Sequence, residues 1–177
     1  MKACEQIIAY WLCPAEPARG HLASLIRDFA RRFDAPVFEP HVTVYVTDAA
    51  NEKPEIVLEQ VMKNRGQYAL SIRGLDFSEK FTKTLFVQFA PDPTLAELSR
   101  DLRHASVSPG EYELNPHVSL IYKEMDEETR RRLAASITLP FEEVTFDTVK
   151  AIFSPAEIKS RKEVEAWRVV AERRLTE

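Results

Sequence analysis

Residues 40–46 read Pro-His-Val-Thr-Val-Tyr-Val, and residues 116–122 read Pro-His-Val-Ser-Leu-Ile-Tyr. Each is a proline, a histidine, and then an apolar/hydroxyl alternation with the period of a strand. Proline can open a strand but not sit inside a central one, so His41 and His117 belong at the first or second position of their strands. Strict alternation from there puts His41, Thr43 and Tyr45 on one face and Val42, Val44 and Val46 on the other. In the second motif His117 and Ser119 oppose Val118 and Leu120. Each motif therefore sets an imidazole beside a hydroxyl over a hydrophobic backing. Two ordinary half-buried strands with polar outward positions would read similarly. Against that plainer reading, the chain has only four histidines, and two of them carry the same neighbours.

Working outward, the elements around each motif come in the same order. Residues 6–13 are apolar on both faces, as a central strand is. From about Ala18 to Phe33, Leu22, Leu25, Ile26, Phe29 and Phe33 recur at helical spacing. The first histidine strand follows. Pro54 then opens a second helix with Ile56, Val57, Leu58 and Val61 inside, and residues 67–77 alternate as a long strand. The order then restarts. Residues 83–90 form a strand, and a helix runs from Pro93 to about Ala105 through Leu95, Leu98 and Leu102. The second histidine strand, a helix opened at Asp126, and a long strand near 142–153 complete the repeat. A final strand at about 165–175 is extra, and Trp167 within it reads as a packing residue. The expectation is an α+β fold of two pseudo-symmetric lobes, each an antiparallel-rich sheet flanked by helices, around a central cleft that both histidines face. Residues 1–177 form one bilobal domain, with repeats of approximately 1–80 and 81–164.

Composition narrows the partners. At 177 residues the chain can bury a full core. No apolar run approaches the roughly 20 residues of a membrane span, and no signal-peptide pattern opens the sequence. Cys4 and Cys13 fall on what reads as one strand, too far apart to bridge, which points to a reduced, cytoplasmic protein. The net charge is −4, and the densest basic run, Arg130-Arg131-Arg132, reads as the solvated face of a helix. No long nucleic acid, no membrane and no oligomeric partner is expected; a small phosphate ester needs only local positive charge.

Two imidazoles across a cleft suit acid–base chemistry, because histidine alone titrates near neutrality unperturbed. One can take a proton from water while the other donates one to a leaving oxygen. Thr43 and Ser119 could donate to a phosphoryl group. A zinc site would need a third ligand, and His21 and His104 lie on helices without ligand spacing. No Gly-x-Ser-x-Gly elbow is present, and Gly20, Gly66, Gly74 and Gly110 are too scattered to form a phosphate-cradling loop. Neither metal nor cofactor is expected. Lys83, at the start of a strand, could meet a phosphate or simply be solvated.

The tetrapeptides His41-Val-Thr43-Val and His117-Val-Ser119-Leu resemble the paired His-x-Thr/Ser-x motifs of the two-histidine phosphoesterase superfamily, and the resemblance spans nearly the whole chain. Trp11-Leu-Cys-Pro14, the run Phe38-Glu-Pro-His-Val-Thr-Val and Tyr122 make it most similar to the cyclic phosphodiesterases of ADP-ribose 1″,2″-cyclic phosphate and nucleoside 2′,3′-cyclic phosphates. That resemblance implies metal-independent hydrolysis of a small cyclic nucleotide or ADP-ribose cyclic phosphate. His41 and His117 would be acid and base, Thr43 and Ser119 would bind phosphate, and Trp11 and Tyr122 would lie near the nucleotide. By residue pattern alone Trp11, in an apolar strand, reads as core sooner than as a base-stacking platform, and strict alternation puts Tyr122 opposite His117 unless the strand bends or ends there. Disulfide-based redox control is not implied, since only two cysteines occur. An RNA end-processing enzyme of the 2′,5′-RNA ligase-like branch shares the motifs, and a non-catalytic nucleotide- or RNA-binding module is a third possibility.

Overall fold

The computed structural model describes residues 5–177. Strands β1 (Gln6–Pro14), β2 (Val42–Asp48), β3 (Tyr68–Phe77), β4 (Leu85–Phe89), β5 (His117–Ile121), β6 (Glu143–Pro155) and β7 (Arg168–Arg174) alternate with helices α1 (Ala18–Phe33), α2 (Pro54–Met62), α3 (Pro93–Ala105), α4 (Glu127–Ser136) and α5 (Arg161–Glu165). Local chemistry accounts for most boundaries. Pro93 opens α3 where its missing N–H costs nothing, and the Asp92 carboxylate caps the helix by accepting from Leu95 N at 2.9 Å. Asp126 caps α4 in the same way through Thr129 N. α1 buries Leu22, Ile26, Phe29 and Ala30 along one stripe and ends at Asp34, whose backbone is left-handed (φ 49°) and whose N–H donates to Ala30 O.

The seven strands form one antiparallel sheet in the order β2-β1-β6-β3-β4-β5, with β3 and β7 sharing the second edge of β6. This order mirrors the repeat with an exchange. One half is β2-β1-β6 and the other β5-β4-β3, so each half takes its third strand from the opposite repeat. Helices follow suit: α1 packs against β5, and α3 against β2. The fold is α+β with helices flanking the sheet, as anticipated. No helix among the described residues is long and apolar enough to cross a membrane.

Matching bulges break the alternation of both histidine strands. In β2, Tyr45 pairs with Tyr10 and Thr43 with Trp11, leaving Val44 unpaired. In β5, Ile121 pairs with Leu85 and Ser119 with Phe86, leaving Leu120 unpaired. An extra residue shifts the strand's phase by one. Tyr45 therefore does not share the His41 face. It joins Val42 and Val44 in the main core, while Val46 turns to the opposite side beside Trp11. The carbonyl of the bulged Val44, which has no ladder partner, accepts from Ser99 Oγ of α3 at 2.7 Å.

Other expectations are corrected. The fourth strand begins at Leu85, and a 3₁₀ turn over Phe81–Lys83 precedes it, so Lys83 is not a strand residue. Ile56 is 56% exposed rather than inside, because α2 buries Val57, Leu58, Val61 and Met62 instead. Arg130 is not solvated: it is 6% exposed and lies over the Phe77 ring, whereas Arg131 pairs with Glu127 at the surface. Cys13 is a buried free thiol, and Cys4 lies outside the described residues.

Candidate active site

The proline–histidine junctions carry both imidazoles to the same place. His41 immediately precedes β2 and His117 is the first residue of β5. Each ring is held the same way. His41 Nδ1 lies 2.7 Å from the carbonyl of Glu39, and His117 Nδ1 lies 2.7 Å from the carbonyl of Asn115. A carbonyl can only accept, so Nδ1 carries the hydrogen in both rings and Nε2 is left to exchange a proton. Each ring also packs on an aromatic residue of the neighbouring strand: Trp11 of β1 stacks on His41 at 3.5 Å and 7°, and Phe86 of β4 meets His117 edge-on at 5.4 Å.

A cavity of about 260 Å³ opens between the halves, lined by His41, Thr43, His117, Ser119, Trp11 and Tyr122 together with Thr82, Tyr112 and Trp167. All six residues singled out in the sequence thus meet at one place. Tyr122 reaches it because the bulge at Leu120 reverses the phase of β5, and the strand ends at Ile121. Trp167 packs against the core as expected, but it lies just before β7, not within it, and its half-buried indole also forms part of the cavity wall. Its signal in the sequence was a large aromatic residue outside any apolar periodicity, following Glu165-Ala166. Thr82 and Tyr112 were not singled out either; Thr82 sits in the 3₁₀ turn and Tyr112 in an irregular segment, both too short or aperiodic for periodicity to speak to.

The two hydroxyls differ. Ser119 Oγ donates to Thr82 O at 2.8 Å and is thereby occupied. The Thr43 side chain has no hydrogen-bond partner among the described residues, while its carbonyl accepts from the Tyr112 hydroxyl at 3.1 Å. Trp11 is 5% exposed with one face covered by His41, and Tyr122 is 4% exposed and stacked on Phe38 at 4.0 Å.

Electrostatics separate the imidazoles. Burial pushes His41 down to about 3, with the Glu39 carbonyl opposing and His117 adding to the fall. His117 is also lowered, first by burial, then by Lys83 and Lys80, against the Asn115 carbonyl. Lys83 Nζ sits 4.4 Å over the Phe86 ring, behind His117, and does not line the cavity. On the other side Lys150 pairs with Glu39 at 2.8 Å, steadying the segment whose carbonyl orients His41. Among the described residues, no three His, Cys, Asp or Glu side chains gather in a metal-holding group.

The family model described as cyclic phosphodiesterase-like protein matches residues 7–175. The chain belongs to that family, within the two-histidine phosphoesterase superfamily. Solved structures share the fold at low identity. TT0787 of Thermus thermophilus is 15% identical with a TM-score of 0.61, covering 96% of this chain and 97% of its own. A structure described as a phosphoesterase is 13% identical with a TM-score of 0.60, covering 97% and 99%. E. coli LigT, in a complex with 3′-AMP, is 13% identical with a TM-score of 0.56, covering 98% and 99%. No curated protein sequence matches this chain.

Proposed function

We propose that this member of the cyclic phosphodiesterase-like family hydrolyses a small cyclic phosphodiester to a phosphomonoester. The substrate class is a nucleoside 2′,3′-cyclic phosphate or ADP-ribose 1″,2″-cyclic phosphate. One observation carries the reading: two imidazoles line one cavity, each with Nδ1 committed to a carbonyl two residues upstream and Nε2 left over. The whole chain, 1–177, acts as one bilobal unit in it.

His41, kept neutral by burial, takes the proton of an attacking water. The new P–O bond forms as the bond to one ring oxygen breaks, and His117 in its protonated form gives that oxygen a proton. The bound diester's negative charge works against the burial that lowers His117 and favours the protonated form this step needs. The imidazolium that develops at His41 lies against the Trp11 face, which favours a cation. Thr43, whose hydroxyl is uncommitted, donates to a non-bridging phosphate oxygen. Side chains supply every proton transfer, so no metal enters the scheme.

The test is a panel of 2′,3′-cyclic mononucleotides, ADP-ribose 1″,2″-cyclic phosphate and a 2′,5′-linked oligonucleotide, after exhaustive dialysis against EDTA. Cyclic phosphates are expected to turn over with the chelator present. Turnover of the oligonucleotide alone would replace this reading with RNA end processing. Activity lost on chelation and restored by one divalent ion would overturn the metal-free scheme, and binding without turnover would leave a nucleotide-binding module.

A further inference from the structure

The aromatic rings lining the cavity differ in how much face they have to offer. Trp11 is stacked on His41 and Tyr122 on Phe38, at interplanar angles of 7° and 8°. Both are almost fully buried. Each has one face already stacked, and little of the rest is exposed. Trp167 is different. It is half-buried, and it meets Trp11, Phe38, His41 and Tyr122 at angles between 79° and 88°. Among the described residues, no ring lies parallel on it.

The indole is also braced. α5 just ahead of it opens with a capping box in which Ser160 and Glu163 satisfy each other's ends. Arg161 reaches Asp34 at the end of α1 at 2.9 Å, and Trp167 N donates to Val164 O. A ring held in place on the cavity wall with no parallel ring stacked on it, 6.0 Å from the His41 centroid, is a preorganised stacking surface.

We propose that Trp167 is the nucleobase platform of this site, with the base stacked on its indole while the phosphate lies at the two imidazoles. This rests on the nucleotide reading given above. Trp11 and Tyr122 then serve as wall and support rather than as base contacts. Because every base presents a π-face, the platform tolerates different bases and favours the larger purines.

Calorimetric binding of adenosine 2′- and 3′-monophosphate, ribose phosphate and inorganic phosphate tests it in the intact protein. Trp167→Ala is expected to weaken nucleotide binding by roughly 5- to 150-fold, the size of one base–aromatic stack. Binding of ribose phosphate and inorganic phosphate should stay unchanged, and Trp167→Phe should retain most of the nucleotide affinity. The proposal is overturned if Trp167→Phe and Trp167→Ala weaken all ligands alike or none. It is also overturned if the wild type binds nucleotide no more tightly than ribose phosphate. Loss of base discrimination in Tyr112→Leu but not in Trp167→Phe or Trp167→Ala would move the platform to the other half-buried ring. Failure of the hydrolysis reading shows separately, as absence of turnover, while these affinities still decide the platform.

Discussion

Thr43 and Ser119 hold matched places in the two motifs, yet only one hydroxyl is free to meet a ligand. Ser119 already donates to the Thr82 carbonyl, and Thr43 donates to nothing among the described residues. Their substitutions should therefore part company. Thr43→Val keeps the β-branched shape and should lower kcat/KM by roughly 10- to 150-fold, the worth of a hydrogen bond to a charged group, with little change in Tm. Ser119→Ala leaves a carbonyl without its partner, costing about 0.5–1.5 kcal/mol, or roughly 1–6 °C of Tm at this chain length, with the smaller kinetic effect. Thermal melts and steady-state kinetics on both variants check this. The reverse pattern would make Thr43 structural and return Ser119 to the phosphate. Trp11 and Tyr122 were placed at the site by the family resemblance alone, but that the two motifs would bring two imidazoles and two hydroxyls together could be read from residue type and spacing. Which hydroxyl was committed could not, because the Thr82 carbonyl arrives from a turn distant in sequence.

At the level of elements, helix and strand positions followed from period and punctuation: Pro54, Pro93 and Asp126 mark helix starts in the sequence as they do in the structure. The bulges did not announce themselves. Val44 and Leu120 are good strand residues, and what makes each the extra one is the register of the partner strand. Strict alternation therefore misplaced Tyr45 and left Tyr122 unresolved. The helix α5, which a Ser160/Glu163 capping box opens, was not anticipated, because five residues are too few to show a period. Arg130 illustrates the converse. A run of three arginines reads as surface, but α4 packs on β3 and takes Arg130 with it, leaving its Nε buried without a partner among the described residues. A buried unsatisfied donor is costly, and a thioether of similar length has none to satisfy. Arg130→Met is expected to keep or raise stability in chemical denaturation. A loss above about 1 kcal/mol would mean that the guanidinium's packing over Phe77 outweighs its desolvation.

Across the whole molecule, duplication was readable from the repeated order of elements, whereas the exchange of β3 and β6 between halves was not, because antiparallel partners are chosen by tertiary fit. The exchange matters for chemistry. Each half contributes one histidine, and a continuous sheet fixes the two relative to each other, so neither repeat holds a complete site. The roles carry a pH signature. His117 must be protonated to act as the acid, and burial lowers its pKa below the ordinary histidine value. kcat/KM should therefore fall as pH rises through that lowered pKa, toward a tenfold loss per unit. The most direct measurement is kcat/KM against pH for a 2′,3′-cyclic nucleotide, with wild type, His41→Ala and His117→Ala compared at matched far-UV circular dichroism. The account predicts a loss of roughly 10²–10⁴ in each variant, the usual size of one general acid or base, and disappearance of the alkaline limb in His117→Ala. Two folded variants that keep near wild-type kcat/KM and the wild-type pH profile would contradict it.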